Sequence, residues 1–170
     1  MKNYLVGAIL ALTWCAAAQA DSVPDARDII RLETCFDTFN NAQLGTCVEI
    51  EIDRCWYATG RANISSGQCM SEAFRQADSL LNSYYQRLVP AVRLAAGQLV
   101  GSAYELTGNP LRESQRAWLA VRDTTCNLSV VYAATGPGRE SHIEGCKARL
   151  TMQRIGDLDT ELGRFLDSSN

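Results

Sequence analysis

Histidine is almost missing: His142 is the one imidazole in 170 residues. A zinc site built on several His ligands is therefore excluded. A lone His also has no triad partner near it in sequence, so His142 reads as a surface residue. Lysine is as scarce, with Lys2 and Lys147 the two in the chain, and nearly all positive charge is Arg. No C-x-x-C pair occurs, which removes a thioredoxin-like motif and a zinc knuckle. There is no nucleophile elbow, no H-E-x-x-H and no phosphate-cradling glycine loop. Catalytic residues, a metal and a cofactor are accordingly not expected, and the chain does not read as an enzyme. Acids outnumber bases, 19 to 16, without a basic stripe, so nucleic acid is not an expected partner. What remains is ordinary globular composition, 46% hydrophobic and 21% charged, which excludes disorder as the main state.

One long apolar run is present and no second one follows it. Lys2 precedes the run Tyr4 to Trp14, and Ala18-Gln19-Ala20 offers a small-x-small cleavage site before Asp21. This is the pattern of a signal peptide over residues 1–20. The run is too short to span a membrane, which takes about 20 apolar residues, so no transmembrane anchor is expected. Cys15 follows Trp14, a bulky neighbour that suits lipoprotein processing poorly. The expected mature chain, 21–170, is exported to the periplasm or the extracellular space. Losing Lys2 leaves 15 bases against 19 acids, a net charge of −4. Its length, about 150 residues, suits a single domain.

Six cysteines remain: Cys35, Cys47, Cys55, Cys69, Cys126 and Cys146. An even set in an exported chain reads as a disulfide framework. Six cysteines allow fifteen pairings, among which sequence alone does not choose. Loop closure favours neighbours, so Cys35–Cys47, Cys55–Cys69 and Cys126–Cys146 are expected.

The rest of the pattern is helical. Val23 to Asn40 carries Ile29, Ile30, Leu32, Cys35 and Phe36 near helical spacing, after an early Pro24. Residues 48–53 alternate with period two, but no second strand exists to pair with them. They are read as a short helix with Thr46 as N-cap. Residues 60–67 read as a polar loop. Ser66 opens the clearest helix, whose Met70, Phe74, Ala77, Leu81, Tyr84, Leu88 and Val92 form one apolar stripe. Pro90 should kink or shorten it. Residues 97–109 read as a linker or a weakly helical turn. Asn109-Pro110 opens the next helix as N-cap and first helical residue. Gly136-Pro137-Gly138 is a turn, and the last helix runs from about Ser141 to Leu166. The fold class is all-α: a small disulfide-stapled bundle of about four to five helices.

Carboxylate pairs such as Asp157–Glu161 fit a solvated face. The more informative polar residues lie on or beside the apolar stripes. Asp78 and Asn82 are four apart on one helix face, with Tyr85 a turn on. Gln115, Trp118 and Arg122 share another face, and Thr151 and Arg154 sit three apart on the last helix. An Asp78–Arg122 or Asp78–Arg154 pair between packed helices would offset the cost of a buried charge. The same residues read either as a network fixing helix register or as the wall of a ligand pocket.

These segments, in order, carry a resemblance. Cys69, then Asp78, Leu81, Asn82 and Tyr85, then Gln115, Ala117, Trp118, Arg122, Asp123 and Cys126, then Cys146, Leu150, Thr151 and Arg154 follow one pattern. The chain resembles the lysozyme inhibitor LprI N-terminal domain family over about residues 55–160. Gly136-Pro137-Gly138 departs from the Gly-Gly-Ser-like turn common there, and the Cys35–Cys47 region resembles only some members. The resemblance implies an all-helical envelope or secreted domain, and lysozyme inhibition for at least some members. The shared residues look chiefly structural and do not mark an inhibitory surface.

Two functional expectations follow. One is a binding module that occludes a muramidase cleft without turnover. Arg139, Glu140, Ser141 and His142, read as a loop, would supply donors, and Glu49, Glu51 and Asp53 would supply acids. The other is a structural or adaptor protein of the envelope with no lysozyme target. The sequence leaves the oligomeric state open.

Overall fold

The apolar stripe of residues 70–92 lies on the longest element of the structure, a computed structural model that describes residues 24–99, 110–129, 131 and 138–167. The expected signal segment, the Asn109 cap and the Gly136-Pro137 turn lie outside these residues. Every element among them is helical: α1 (Ala26–Ile29), α2 (Cys35–Thr38), α3 (Leu44–Ala58), α4 (Asn63–Leu99), α5 (Pro110–Ser129), α6 (Arg139–Leu162) and α7 (Arg164–Asp167), with short 3-10 turns at Leu32–Thr34 and Asn41–Gln43. The fold is all-α. At about 1.5 Å per residue, the 37 residues of α4 extend to about 55 Å. Ala73, Ala77, Leu81, Tyr84 and Leu88 are buried along it. The helix continues past Pro90 to Leu99 instead of stopping there.

Contacts along the helices give their directions. Gly67 meets Ser141, Gly145 meets Met70, and the Tyr84 hydroxyl donates to Asp159 Oδ1 at 2.5 Å, so α4 and α6 run parallel. Gly45 lies against Gln153 and Glu49 against Arg149, so α3 is antiparallel to α6. α5 is antiparallel to α6 as well, tied by Cys126–Cys146. The remaining disulfides are Cys35–Cys47 and Cys55–Cys69. Each joins neighbouring cysteines, and each constrains the unfolded chain more than it adds native contact.

The expected single helix over 23–40 is broken. Ile30 is extended, with ψ of 129°, and Arg31 also leaves the helical region, with ψ of 68°. Ile30 and Leu32 are both fully buried, and a continuous helix would set residues two apart on nearly opposite faces. The break lets both enter the core. Gln76 of α4 then satisfies the exposed backbone: its Oε1 accepts from Leu32 N–H at 3.1 Å and its Nε2 donates to Ile30 O at 2.9 Å.

The period-two segment is helical, as read, but α3 starts at Leu44, out of the preceding 3-10 turn. Thr46 is therefore inside the helix and caps nothing. Ile50 is 48% exposed while Val48 is fully buried, as a helix and not a strand requires. The polar loop before α4 is shorter than its composition suggests. Gly60 (φ 83°) and Arg61 (φ 62°) are both left-handed. Arg61 N–H donates to Trp56 O at 3.0 Å and Gly60 N–H to Tyr57 O at 3.4 Å, a Schellman closure. That closure reverses the chain within a few residues, so α4 begins at Asn63 and not Ser66. α6 likewise begins at Arg139, two residues early, and ends at Leu162, with α7 after Gly163.

Candidate functional site

One guanidinium joins three helices. Arg122 of α5 has a side chain only 7% exposed. Its Nε donates to Asp123 Oδ1 at 2.9 Å. One terminal nitrogen donates to Asp78 Oδ1 of α4 at 3.4 Å and to Thr151 Oγ1 of α6 at 3.3 Å. The rings of Phe74 and Trp118 each lie 5.3 Å from its centre. A charge this deep is tolerated only when its donors are used, and here acids, a hydroxyl and two ring faces use them. Lys147 approaches Asp123 at 3.8 Å.

A second cation completes the layer. Arg154 of α6 donates from Nε to Gln115 Oε1 at 3.2 Å and from a terminal nitrogen to Ser114 Oγ at 2.9 Å. Its centre lies 5.7 Å from the Trp118 ring, so Trp118 contacts two guanidinia. Burial lowers the Arg154 pKa from its usual position, and nearby Asp157 opposes that shift. Asp78 therefore pairs with Arg122, while Arg154 serves α5. Asn82 closes the set, donating to Asp78 Oδ2 at 3.1 Å.

This layer backs an open cleft. Asp78, Leu81, Asn82 and Tyr85 of α4 face Arg112, Gln115, Arg116 and Leu119 of α5 across about 230 Å³. α5 packs chiefly on α6, and the cleft lies where it stands off from α4. Asp78, Asn82, Tyr85 and Gln115 line the cleft. Arg122, Thr151 and Arg154 lie behind them, with Trp118 between the two cations.

A larger hollow, about 1250 Å³, lies at the N-terminal ends of α4 and α6. His142, Ser141, Arg27, Glu72 and Arg75 are among the residues lining it. Glu72 is the anchor that sequence reasoning missed. Its carboxylate, 7% exposed, accepts from Arg75 at 2.8 and 2.5 Å and from Gln76 Nε2 at 2.8 Å. The Arg75 hydrogen bonds hold its pKa below the ordinary value; burial opposes them, and Gln76 reinforces them. Glu72 and Gln76, four apart beside buried Cys69 and Ala73, carry the same signal that singled out Asp78 and Asn82.

The two clusters read as partner contacts are arranged differently from the expectation. Arg139, Glu140, Ser141 and His142 form the first turn of α6 and not a loop. Arg139, Glu140 and His142 are exposed there. Glu49, Glu51 and Asp53 do not form one acidic face. Glu51 turns inward, accepting from Arg31 N–H at 3.1 Å and from Arg54 at 3.2 and 2.5 Å. Glu49 meets Arg149 at 3.5 Å, and Asp53 is exposed. The reason is angular: at 100° per residue, positions 49 and 53 share a face and position 51 does not. Among the described residues no group of His, Cys, Asp and Glu could hold a metal ion, and no helix is long and apolar enough to cross a membrane.

Comparison with known proteins places this architecture. An uncharacterized protein of Rhizobium meliloti (strain 1021) is 33% identical over 92 residues, 53% of this chain and 66% of that protein, just under two thirds of its length. No solved structure matches. The family model described as lysozyme inhibitor LprI matches residues 55–158, from the end of α3 through most of α6. That match spans more than half of the chain, and the chain belongs to the lysozyme inhibitor LprI family.

Proposed function

We propose that this chain is an exported, non-catalytic binding protein that blocks a muramidase. The family match over residues 55–158 carries the reading. Export is supported by three disulfides, which persist in oxidising compartments. Inhibition without turnover needs a rigid surface, because ordering on binding subtracts from affinity. Three disulfides and a guanidinium shared by three helices supply that rigidity. Lysozyme is cationic and its cleft carries two carboxylates, so the net charge of −4 expected for the exported chain favours encounter.

The contacts we propose are exposed groups on α6 and α3. Arg139 and His142 on the first turn of α6 offer donors to the catalytic carboxylates, with Glu140 beside them. Glu49 and Asp53 on the outer face of α3 offer acids to the cationic rim. Glu51 is committed to Arg31 and Arg54 and takes no part.

The test is titration of the purified oxidised chain into a lysozyme cell-wall lysis assay. The expected result is a dose-dependent, salt-sensitive loss of lysis, weakened in Arg139→Ala/His142→Ala and in Glu49→Ala/Asp53→Ala. Full lysis at large molar excess, with the helical circular dichroism intact, refutes the proposal and moves the function to a structural or adaptor role in the envelope.

A further inference from the structure

The cleft between α4 and α5 has an unequal balance of used and unused polar groups. Its one lining acid is already shared between two partners. Asp78 gives Oδ1 to Arg122 and Oδ2 to Asn82. Arg122 and Lys147 together face Asp78 and Asp123, so these four charges balance one another. Three donors along the opening are not spent. Arg116, exposed on α5 and lining the cleft, has no ion pair or hydrogen bond among the described residues. Gln115 has its Oε1 fixed by Arg154, which leaves its Nε2 group without an acceptor among the described residues. The Tyr85 hydroxyl also has no partner there. Between these donors lie Leu81, 2% exposed, and the half-buried Leu119. Arg112 lines the cleft as well. The cleft thus offers guanidinium groups and two neutral donors beside apolar side chains, and its one lining acid is already paired with Arg122.

We propose that the α4–α5 cleft binds a ligand carrying one carboxylate on a short apolar stem, the carboxylate held by Arg116 with Gln115 and Tyr85, the stem lying on Leu81 and Leu119. A guanidinium pairs with a carboxylate through two parallel hydrogen bonds, and such charge-assisted bonds are about twice as strong as neutral ones. Cations are disfavoured because two guanidinia, Arg112 and Arg116, line the cleft and Asp78 is already paired with Arg122. The wall is preorganised: Arg154 orients Gln115, and Arg122 with Asn82 immobilises Asp78, so binding requires little ordering of these groups. The inference stands apart from muramidase inhibition, since the contacts proposed for that role lie on α3 and the first turn of α6.

The test is a chemical-shift titration of the oxidised full chain with three probes. N-acetyl-leucine represents a peptide terminus, isovalerate a free short-chain acid, and N-acetyl-leucinamide removes the charge from the first. The expected result is saturable shifts confined to residues 78–85 and 112–119 with at least one acid. The amide should bind about tenfold more weakly than N-acetyl-leucine, the loss of one charge-assisted contact. Arg116→Gln should weaken acid binding by about the same factor with the helical spectrum unchanged, because Arg116 holds nothing in the fold. Which acid binds more tightly identifies the source of the carboxylate, and either answer supports the site. The proposal is overturned if neither acid gives saturable shifts, if acid and amide bind alike, or if Arg116→Gln binds as tightly as the parent.

Discussion

Removing the Arg122 guanidinium should expose how much of the bundle hangs on Thr151. Arg122→Met keeps an unbranched stem between Phe74 and Trp118 and deletes the charge. Asp78 and Asp123 are 44% and 46% exposed, so water replaces their lost partner at little cost. Thr151 is different: it is fully buried, and Arg122 is its hydroxyl's partner at 3.3 Å. An orphaned buried hydroxyl costs about 1–3 kcal/mol, and the lost cation–ring contacts add about 1 kcal/mol. Relief of the guanidinium's own desolvation works the other way, so the net cost of Arg122→Met should be about 1–3 kcal/mol. The sharper quantity is the coupling. Thr151→Val alone leaves Arg122 with both acids, and in the double variant no hydroxyl is left to orphan. The double variant should therefore be about 1–2 kcal/mol more stable than the two single effects predict when added. Urea unfolding of the oxidised proteins, followed by far-ultraviolet circular dichroism with a common slope, measures all three. Additivity within about 0.5 kcal/mol would refute the claim that Arg122 serves Thr151.

Glu72→Gln should cost about 1 kcal/mol at neutral pH, a small value because Arg75 is 63% exposed and screened by water. The folded-state pKa of Glu72 is depressed. Its contribution is therefore full above the unfolded value near 4.5 and fades as pH falls through the lower folded one. Melting curves of parent and variant should converge in acid; a gap that stays constant with pH contradicts the assignment. Gly156→Ala would place a Cβ 2.3 Å from the backbone oxygen of Asn41, so it should destabilise by about 1–3 kcal/mol. Gly97→Ala, with nothing within 4 Å of the added atom, should be neutral or stabilising by up to about 1 kcal/mol. Equal melting temperatures for the two would show that the α6 crossing is looser than described.

The helical class was legible because residues 70–92 and 111–126 repeat at three and four, a spacing no strand can use. Asp78 with Asn82, and Gln115 with Trp118 and Arg122, could be put on faces by the same arithmetic. Glu72 and Gln76 obey it too and were passed over, since their burial depends on the 30–32 segment that crosses α4. Boundaries were less legible. Asn63 to Gly67 is polar and poor in strong helix formers, yet it is helical because the Schellman closure at Gly60 and Arg61 turns the chain early. The Val23–Asn40 pattern looked continuous because apolar spacing does not reveal that Ile30 and Leu32 must both point inward.

By itself, then, the sequence determined the all-α class, the even set of six cysteines and the side of each long helix that carries its polar residues, all properties of local periodicity and composition. The tertiary structure alone decided the rest. Antiparallel packing of α5 on α6 brings Arg122 to Thr151 and Arg154 to Gln115. Asp78 receives Arg122 because α4 runs parallel to α6. The stand-off of α5 from α4 opens the cleft. These are relations between residues 29 to 44 positions apart, set by how helices pack, and no local pattern encodes them.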